Sequence, residues 1–392
     1  MKSHALIITG LAGAFTISHS FVLPPPTGTF SVGSKAYDLP KITVDDPVAP
    51  NGTGTSVLLN VYYPTHRKAS PSRYIWSGLS VLYDTYYGLP NGTFRNLTAR
   101  TAYNAEPLSL TEWRDLDLPT LVFSPPFAGP PSQAFHGLIS DLVSHGYSVV
   151  TMDHPYEQPY LELPDGTGIS GLPFNYDSNT EEGLKVIQRV HEYRLTDAHA
   201  VLSALPALSK RLSVPLNLTH FSFFGHSLGG SAALSQVLYE RGLTNRYKHH
   251  ILGALNMDGS LWGPAAVNDS SADLRIPSLI LSSAHHKGDP QFADFDALES
   301  NWAKEINIGG KSNHTDFSDL IVLKQGLGIA GGEGAVSAER MIEITRELVG
   351  DFQGLVLGKG EGVLSGTNAV RAAWPELMWL YNKTGTGSLW GS

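Results

Sequence analysis

The chain has 392 residues, 42% of them hydrophobic and 16% charged, which supplies a large core and excludes wholesale disorder. Against 36 Asp and Glu stand 27 Lys and Arg, for a net charge of −9 with no basic run, so nucleic acid is excluded as a partner class. The cysteine count is zero, which rules out disulfide scaffolds, thiolate zinc sites, iron–sulfur clusters and cysteine nucleophiles.

Residues 1–20 read as a secretory signal: Lys2 gives the positive start, 5–17 the apolar stretch, and Ser18-x-Ser20 a small-x-small cleavage site before Pro24-Pro25-Pro26. The apolar run is too short to span a membrane. Seven sequons fit the same secreted, extracellular destination. Six of them are expected to carry glycans: Asn51, Asn91, Asn96, Asn217, Asn268 and Asn382. The seventh, Asn313, adjoins a histidine that the chemistry below requires, and a glycan there would obstruct it.

Six apolar runs of strand length follow in order: 120–124, 147–152, 221–224, 251–257, 277–282 and 305–308. Several are apolar on both faces, as buried parallel strands are. Helix-period segments alternate with them. Leu184, Ile187, Leu195, Ala198, Val201, Leu202 and Leu205 form one stripe, and 227–240 is a second segment, rich in Ala and Leu. Ser337 caps a third, with Met341, Ile344, Leu348, Phe352 and Leu355 on one face. The alternation predicts a mostly parallel sheet covered on both sides, in a single α/β domain over 21–392. Residues 69–118 break the pattern and read as a lid-like insertion whose aromatic side chains either wall a site or pack on the core.

Gly225-His226-Ser227-Leu228-Gly229 matches G-x-S-x-G, directly after an apolar run and before an Ala/Leu-rich helix. That is the strand–turn–helix setting of a nucleophile elbow, with Ser227 lifted above the sheet and the helix N-terminus behind it. Elbow hydrolases order their residues Ser, acid, His. His314 follows the last predicted strand and is the expected base, with His285 and His286 as rivals. For the acid, Asp258 stands at a strand end, whereas Asp289, Asp294 and Asp296 follow the next strand, and Gly288-Asp289-Pro290 looks like a turn. The N–H of Leu228 is one expected oxyanion donor. The loop Pro125-Pro126-Phe127-Ala128-Gly129-Pro130-Pro131 should supply the other; its four prolines have no N–H, and Phe127 is the choice among the rest. Gly326-x-Gly328-x-x-Gly331 has too little chain after it for dinucleotide binding, Gly310-Lys311-Ser312 lacks the P-loop's first glycine, and His191-Glu192 lacks a second zinc ligand because position 195 is Leu195. No cofactor or metal is implied.

The chain resembles the plasma-type platelet-activating factor acetylhydrolases, also called lipoprotein-associated phospholipases, in their fungal secreted branch. The resemblance rests on Val32-Gly33, Leu58-x-x-Val61-Tyr62-Tyr63-Pro64, Val122-Phe123-Ser124, Ser144-His145-Gly146-Tyr147, the elbow, Met257-Asp258 and His314-Thr315-Asp316-Phe317-Ser318-Asp319. It implies an α/β-hydrolase fold, Ser227 as nucleophile, Asp258 as acid, His314 as base, and Phe127 and Leu228 as oxyanion donors. It also implies hydrolysis of short-chain acyl esters of phospholipids, with a small-molecule ester or phospholipid as substrate and a lipid surface as a candidate partner. Where that family commonly has His-Gly in the oxyanion loop, this chain has Pro125-Pro126. The other readings are a secreted carboxylesterase for non-lipid esters, an acyltransferase, and a catalytically idle hydrolase fold that binds.

Overall fold

A computed structural model describes residues 22–243, 249–329 and 336–385. The secretory signal read at 1–20 and the end of the 326–331 motif lie outside the described residues. Ten strands form one sheet: β1 (Ser31–Val44), β2 (Thr53–Thr65), β3 (Ala102–Tyr103), β4 (Thr120–Ser124), β5 (Ser148–Asp153), β6 (His220–His226), β7 (His250–Met257), β8 (Ser278–Ser282), β9 (Ala303–Ile308) and β10 (Leu377–Lys383). Their spatial order is β10-β9-β8-β7-β6-β4-β5-β2-β1-β3.

The six predicted runs are the six central strands, β4 to β9, and every pairing among them is parallel. Parallel neighbours need long crossovers, and helices supply them. Antiparallel strands flank this core: β2 on β5, β1 on β2, and β10 on β9.

Five helices matter for the site: α1 (Ser77–Tyr86), α2 (His136–Ser144), α3 (Glu181–Leu212), α4 (Leu228–Gly242) and α5 (Ala338–Val356). On one face of the sheet, Ile139 and Leu142 of α2 and Ile344, Leu348 and Phe352 of α5 pack with Phe123, Phe224 and Leu255. On the other, Val201, Leu202 and Leu205 of α3 meet Val122, Val150 and Phe223, while Leu234 and Val237 of α4 meet Ala254 and Ile280. Each fully buried Leu, Val or Phe is worth about 1.5–3 kcal/mol, so the two faces together hold the sheet rigid. The stripe read on α3 is buried apart from Leu184, which is exposed near the helix start. Ser337 caps α5 as its position predicts, accepting a hydrogen bond from the Arg340 N–H.

The 69–118 segment is tied to the body. Its β3 adds two residues to the sheet edge beside β1. Tyr74 and Tyr83 are buried in the main core, Trp76 and Tyr87 pack against it, and Tyr86 is exposed. The Tyr74 hydroxyl donates to Asp319 Oδ2 at 2.8 Å, and Trp76 N donates to Gln133 Oε1. Of the expected glycan sites, Asn51, Asn91, Asn96, Asn268 and Asn382 are exposed. Asn217 is half-buried: its Nδ2 donates to Leu118 O, and its Oδ1 accepts from the N–H groups of Thr219 and His220. Among the described residues no helix is long and apolar enough to cross a membrane.

Candidate active site

Ser227 ends β6 and opens α4 with φ 57° and ψ −131°, a conformation that costs a non-glycine residue about 1–3 kcal/mol and persists only where surroundings enforce it. The surroundings are the two flanking glycines. A Cβ on Gly225 would lie 2.3 Å from Gly229 O, and one on Gly229 would lie 2.1 Å from Ser124 O. Strand, helix and the end of β4 therefore approach so closely that only glycine fits at either position. The Ser227 N–H is taken by Met257 O at 2.8 Å, which seats the turn against the end of β7. Leu228 is the first residue of α4, where N–H groups lack an intrahelical acceptor and the helix dipole favours negative charge.

Asp258 follows β7 directly, also at positive φ, and its side chain is fully buried. Oδ2 accepts from His314 Nδ1 at 2.7 Å. Oδ1 accepts from the Ser283 N–H at 2.6 Å and from His286 Nδ1 at 2.9 Å. Burial alone would raise the Asp258 pKa; the hydrogen bonds from His286 and His314 outweigh it and hold the carboxyl well below the usual carboxylate range. His314 lies in a turn after β9, and its side chain is half-exposed. With Nδ1 facing Asp258, Nε2 is the ring nitrogen turned away from the carboxylate. His226 Nε2 donates to the His314 carbonyl at 2.8 Å, and the two rings lie 4.5 Å apart. Burial pushes the His226 pKa down to about 3, so this histidine is a neutral prop.

The remaining candidates fall elsewhere. Asp289 caps the helix Pro290–Leu298 by accepting from Gln291 N. Asp294 bonds Asn268, and Asp296 is buried with no hydrogen-bond partner on either oxygen among the described residues. His285 is exposed. His286, read as a rival base, shares the carboxylate with His314 instead, and the hydrogen bond to Asp258 raises its pKa. The two imidazoles and Asp258 also bring three potential ligand atoms together. The Nδ1–H···O geometry of both rings accounts for this grouping as hydrogen bonding.

In the expected oxyanion loop, Pro125 and Pro126 are buried and Phe127 is half-exposed. The Phe127 ring stacks on Phe174 at 5.0 Å and meets Tyr176 edge-on at 5.8 Å. Phe127 and Phe174, with Val186 and Trp262, pack around Leu228, and Tyr176 lies at the exposed margin of this apolar wall. Phe174 and Tyr176 come from the segment before α3, which carried no functional expectation. Asp319, the last residue of the His-x-x-Phe-x-Asp run, accepts from Gly137 N and Tyr74 Oη. Burial raises its pKa to about 7, against the pull of those hydrogen bonds. Its place is structural: it ties the segment after His314 to α2 and to residues 69–118.

A second group missed by the sequence reading is Arg194, whose side chain is 1% exposed. It bonds Glu157 and the carbonyls of Pro125 and Pro126. The available signal was its register: Arg194 stands four residues from Val190 and from Ala198, a charge on the apolar stripe.

No family model matches the chain. It is similar to a protein of Arthroderma benhamiae named "Probable 1-alkyl-2-acetylglycerophosphocholine esterase", 27% identical over 285 residues. That match spans 67% of this chain and 66% of the relative's length. Among solved structures, the ferulic acid esterase from Streptomyces cinnamoneus superposes with a TM-score of 0.71 over 93% of this chain and 100% of that one, at 23% identity. The fold is the α/β-hydrolase fold, and the resemblance to platelet-activating factor acetylhydrolases extends to a relative bearing that activity in its name.

Proposed function

We propose that the chain is a secreted serine esterase that hydrolyses short-chain acyl esters, foremost those of platelet-activating-factor-like phospholipids, through an acyl-enzyme on Ser227. One observation carries the reading: Ser227 holds an enforced elbow conformation at the end of β6, with its N–H on Met257 O beside Asp258 and with the preceding His226 bonded to the His314 carbonyl, while His314 Nδ1 lies 2.7 Å from Asp258 Oδ2. His314 Nε2 takes the Ser227 proton as Oγ attacks the ester carbonyl. The oxyanion forms between the N–H groups of Leu228 and Phe127, each worth about 3 kcal/mol to the transition state. The proton then passes from His314 to the departing alkoxide, and the C–O bond to the alcohol breaks. Water, losing a proton to His314, attacks the acyl carbon; the acid leaves and the proton returns to Ser227. Asp258 stays ionised throughout, and the steps call for no metal or cofactor.

Two features support a short acyl chain. The bulky rings of Phe127 and Phe174 pack against Leu228, next to the expected oxyanion donors, and the relative from Arthroderma benhamiae is named for an acetyl ester. The test is hydrolysis of acetyl, butyryl, octanoyl and palmitoyl esters of one alcohol and of a 2-acetyl phospholipid, with and without a chelator, by wild type and Ser227→Ala. Turnover should fall with chain length, ignore chelator and vanish in Ser227→Ala, and a fluorophosphonate should label only the wild type. A palmitoyl preference, chelator sensitivity, or a labelled Ser227→Ala protein would refute the proposal. Cleavage of simple acetyl esters but not the phospholipid would assign a non-lipid carboxylesterase.

A further inference from the structure

The loop after β4 poses a backbone problem. Pro125 and Pro126 are buried, and a buried carbonyl needs a donor. Side chains bring donors to both. Arg194 Nη1 donates to Pro125 O at 2.5 Å and Nη2 to Pro126 O at 3.3 Å, with Gln158 Nε2 at 3.5 Å from the latter. The same guanidinium reaches Ser124 Oγ at 3.4 Å, and Glu157 Oε2 pairs with Nε at 3.1 Å and Nη2 at 2.5 Å. An arginine presents its donors in a rigid planar fork, so one side chain fixes the relative placement of all these acceptors.

The clamped carbonyls immediately precede Phe127, and they also bear on α4. The space a Cβ on Gly229 would fill is occupied by Ser124 O and Pro125 O, so the loop is seated on the first turn of the helix that begins with Leu228. At its far end the loop is held by Asp153, which accepts from Ser132 N at 2.8 Å and Ser132 Oγ at 2.5 Å. Between the anchors lies Ala128 at φ 53°. Moving the Arg194 end therefore changes the direction of the Phe127 N–H relative to that of Leu228. A buried ion pair is by itself weak ground for a stabilising role, since apolar replacements of such pairs are often neutral. What distinguishes this one is where its spare donors go.

We propose that Arg194, neutralised by Glu157, is a positioning residue for the oxyanion hole: it holds the Pro125 and Pro126 carbonyls and so aims the Phe127 N–H at the developing oxyanion. This rests on the reading of Ser227 as the nucleophile. The stiff proline pair and the guanidinium act together, the prolines limiting backbone rotation and Arg194 choosing which way the carbonyls face.

The test uses the full chain, with Arg194→Lys, Arg194→Met and the charge-free double variant Arg194→Met/Glu157→Met, which avoids leaving a buried carboxylate unpaired. Active sites are counted by fluorophosphonate titration, and rates on an acetyl ester are expressed per titrated site. In Arg194→Met and the double variant, kcat should fall by roughly 100-fold with KM within about threefold, as for loss of one oxyanion donor. The inhibition constant of a trifluoromethyl ketone, which mimics the tetrahedral adduct, should weaken in the same proportion as kcat/KM. Arg194→Lys should recover part of the rate, because an ammonium can reach one carbonyl. A folded double variant with wild-type kcat per site would overturn the proposal, as would unchanged affinity for the ketone or a loss confined to the number of titratable sites. Should Ser227→Ala remain active, the nucleophile assignment fails instead, which separates the two outcomes.

Discussion

Replacing Asp258 by Asn exchanges one carboxylate oxygen for an NH2 group at nearly constant shape, and the surroundings dictate which oxygen is lost. Oδ1 receives two donors, the Ser283 N–H and His286 Nδ1, whereas Oδ2 receives only His314 Nδ1. The amide oxygen of the variant side chain therefore keeps the two-donor side, and its NH2 group turns toward His314. Two N–H groups cannot face each other at 2.7 Å, so His314 must present an unprotonated Nδ1 and carry its proton on Nε2. That tautomer has no lone pair for the Ser227 proton. The expected loss is about 10⁴ in kcat, or about 5.5 kcal/mol of transition-state stabilisation, with little change in KM. The assay is the initial rate on an acetyl ester near neutral pH, beside Asp289→Asn, where only the cap on Gln291 N is at stake. A kcat for Asp258→Asn within about tenfold of wild type, or a larger loss in Asp289→Asn, would refute the assignment of the acid.

Asp296 is buried with both oxygens unpaired among the described residues, and burial, reinforced by Glu305 and Glu299, raises its pKa to about 8. For an acid so raised, the stabilising contribution is complete below the unfolded value near 4 and drains away as pH climbs through about 8. The Tm of Asp296→Asn minus that of wild type should therefore increase between about pH 5 and pH 9, equivalent to on the order of 1–3 kcal/mol; a flat difference would contradict the raised pKa. Glycan occupancy mapped by mass spectrometry of secreted protein should be high at exposed Asn51, Asn91, Asn96, Asn268 and Asn382 and low at Asn313, beside His314. Full occupancy of Asn313 in active protein would conflict with placing His314 in a substrate pocket.

The parallel strands were legible because burial on both faces leaves continuous apolar runs, and the ends of β4 to β9 fall within two residues of those runs. The flanking hairpin was not. β1 runs Ser-Val-Gly-Ser-Lys-Ala-Tyr-Asp-Leu-Pro and is half-exposed over much of its length, so neither a continuous run nor clean alternation marks it. The antiparallel β10 lies at a sheet edge, where Leu380 and Asn382 face solvent, and is equally mixed. At the site, Ser227, Asp258 and His314 were singled out because all three fall at strand ends in a fixed chain order, and the structure puts His314 Nδ1 2.7 Å from Asp258 Oδ2. His286 could not be placed, since its partner depends on which way the second Asp258 oxygen points. The aromatic wall was sought in residues 69–118, whose rings mostly enter the core; Phe174 and Tyr176 come from an irregular stretch with no periodicity to flag it.

The order of the strands also bears on how the molecule reaches its working state. β4 and β6 are neighbours, with Phe221 paired to Thr120, although the whole of β5 and the long α3 crossover lie between them in the chain. The elbow and the loop that faces it thus meet only after about a hundred residues of chain have been closed into one loop. Asp258 joins through one further crossover and His314 through two more after that. Helices form locally and fast, but such distant pairings are slow. The proposed hydrolysis would consequently report finished sheet assembly: during refolding the helical signal should return early and turnover last.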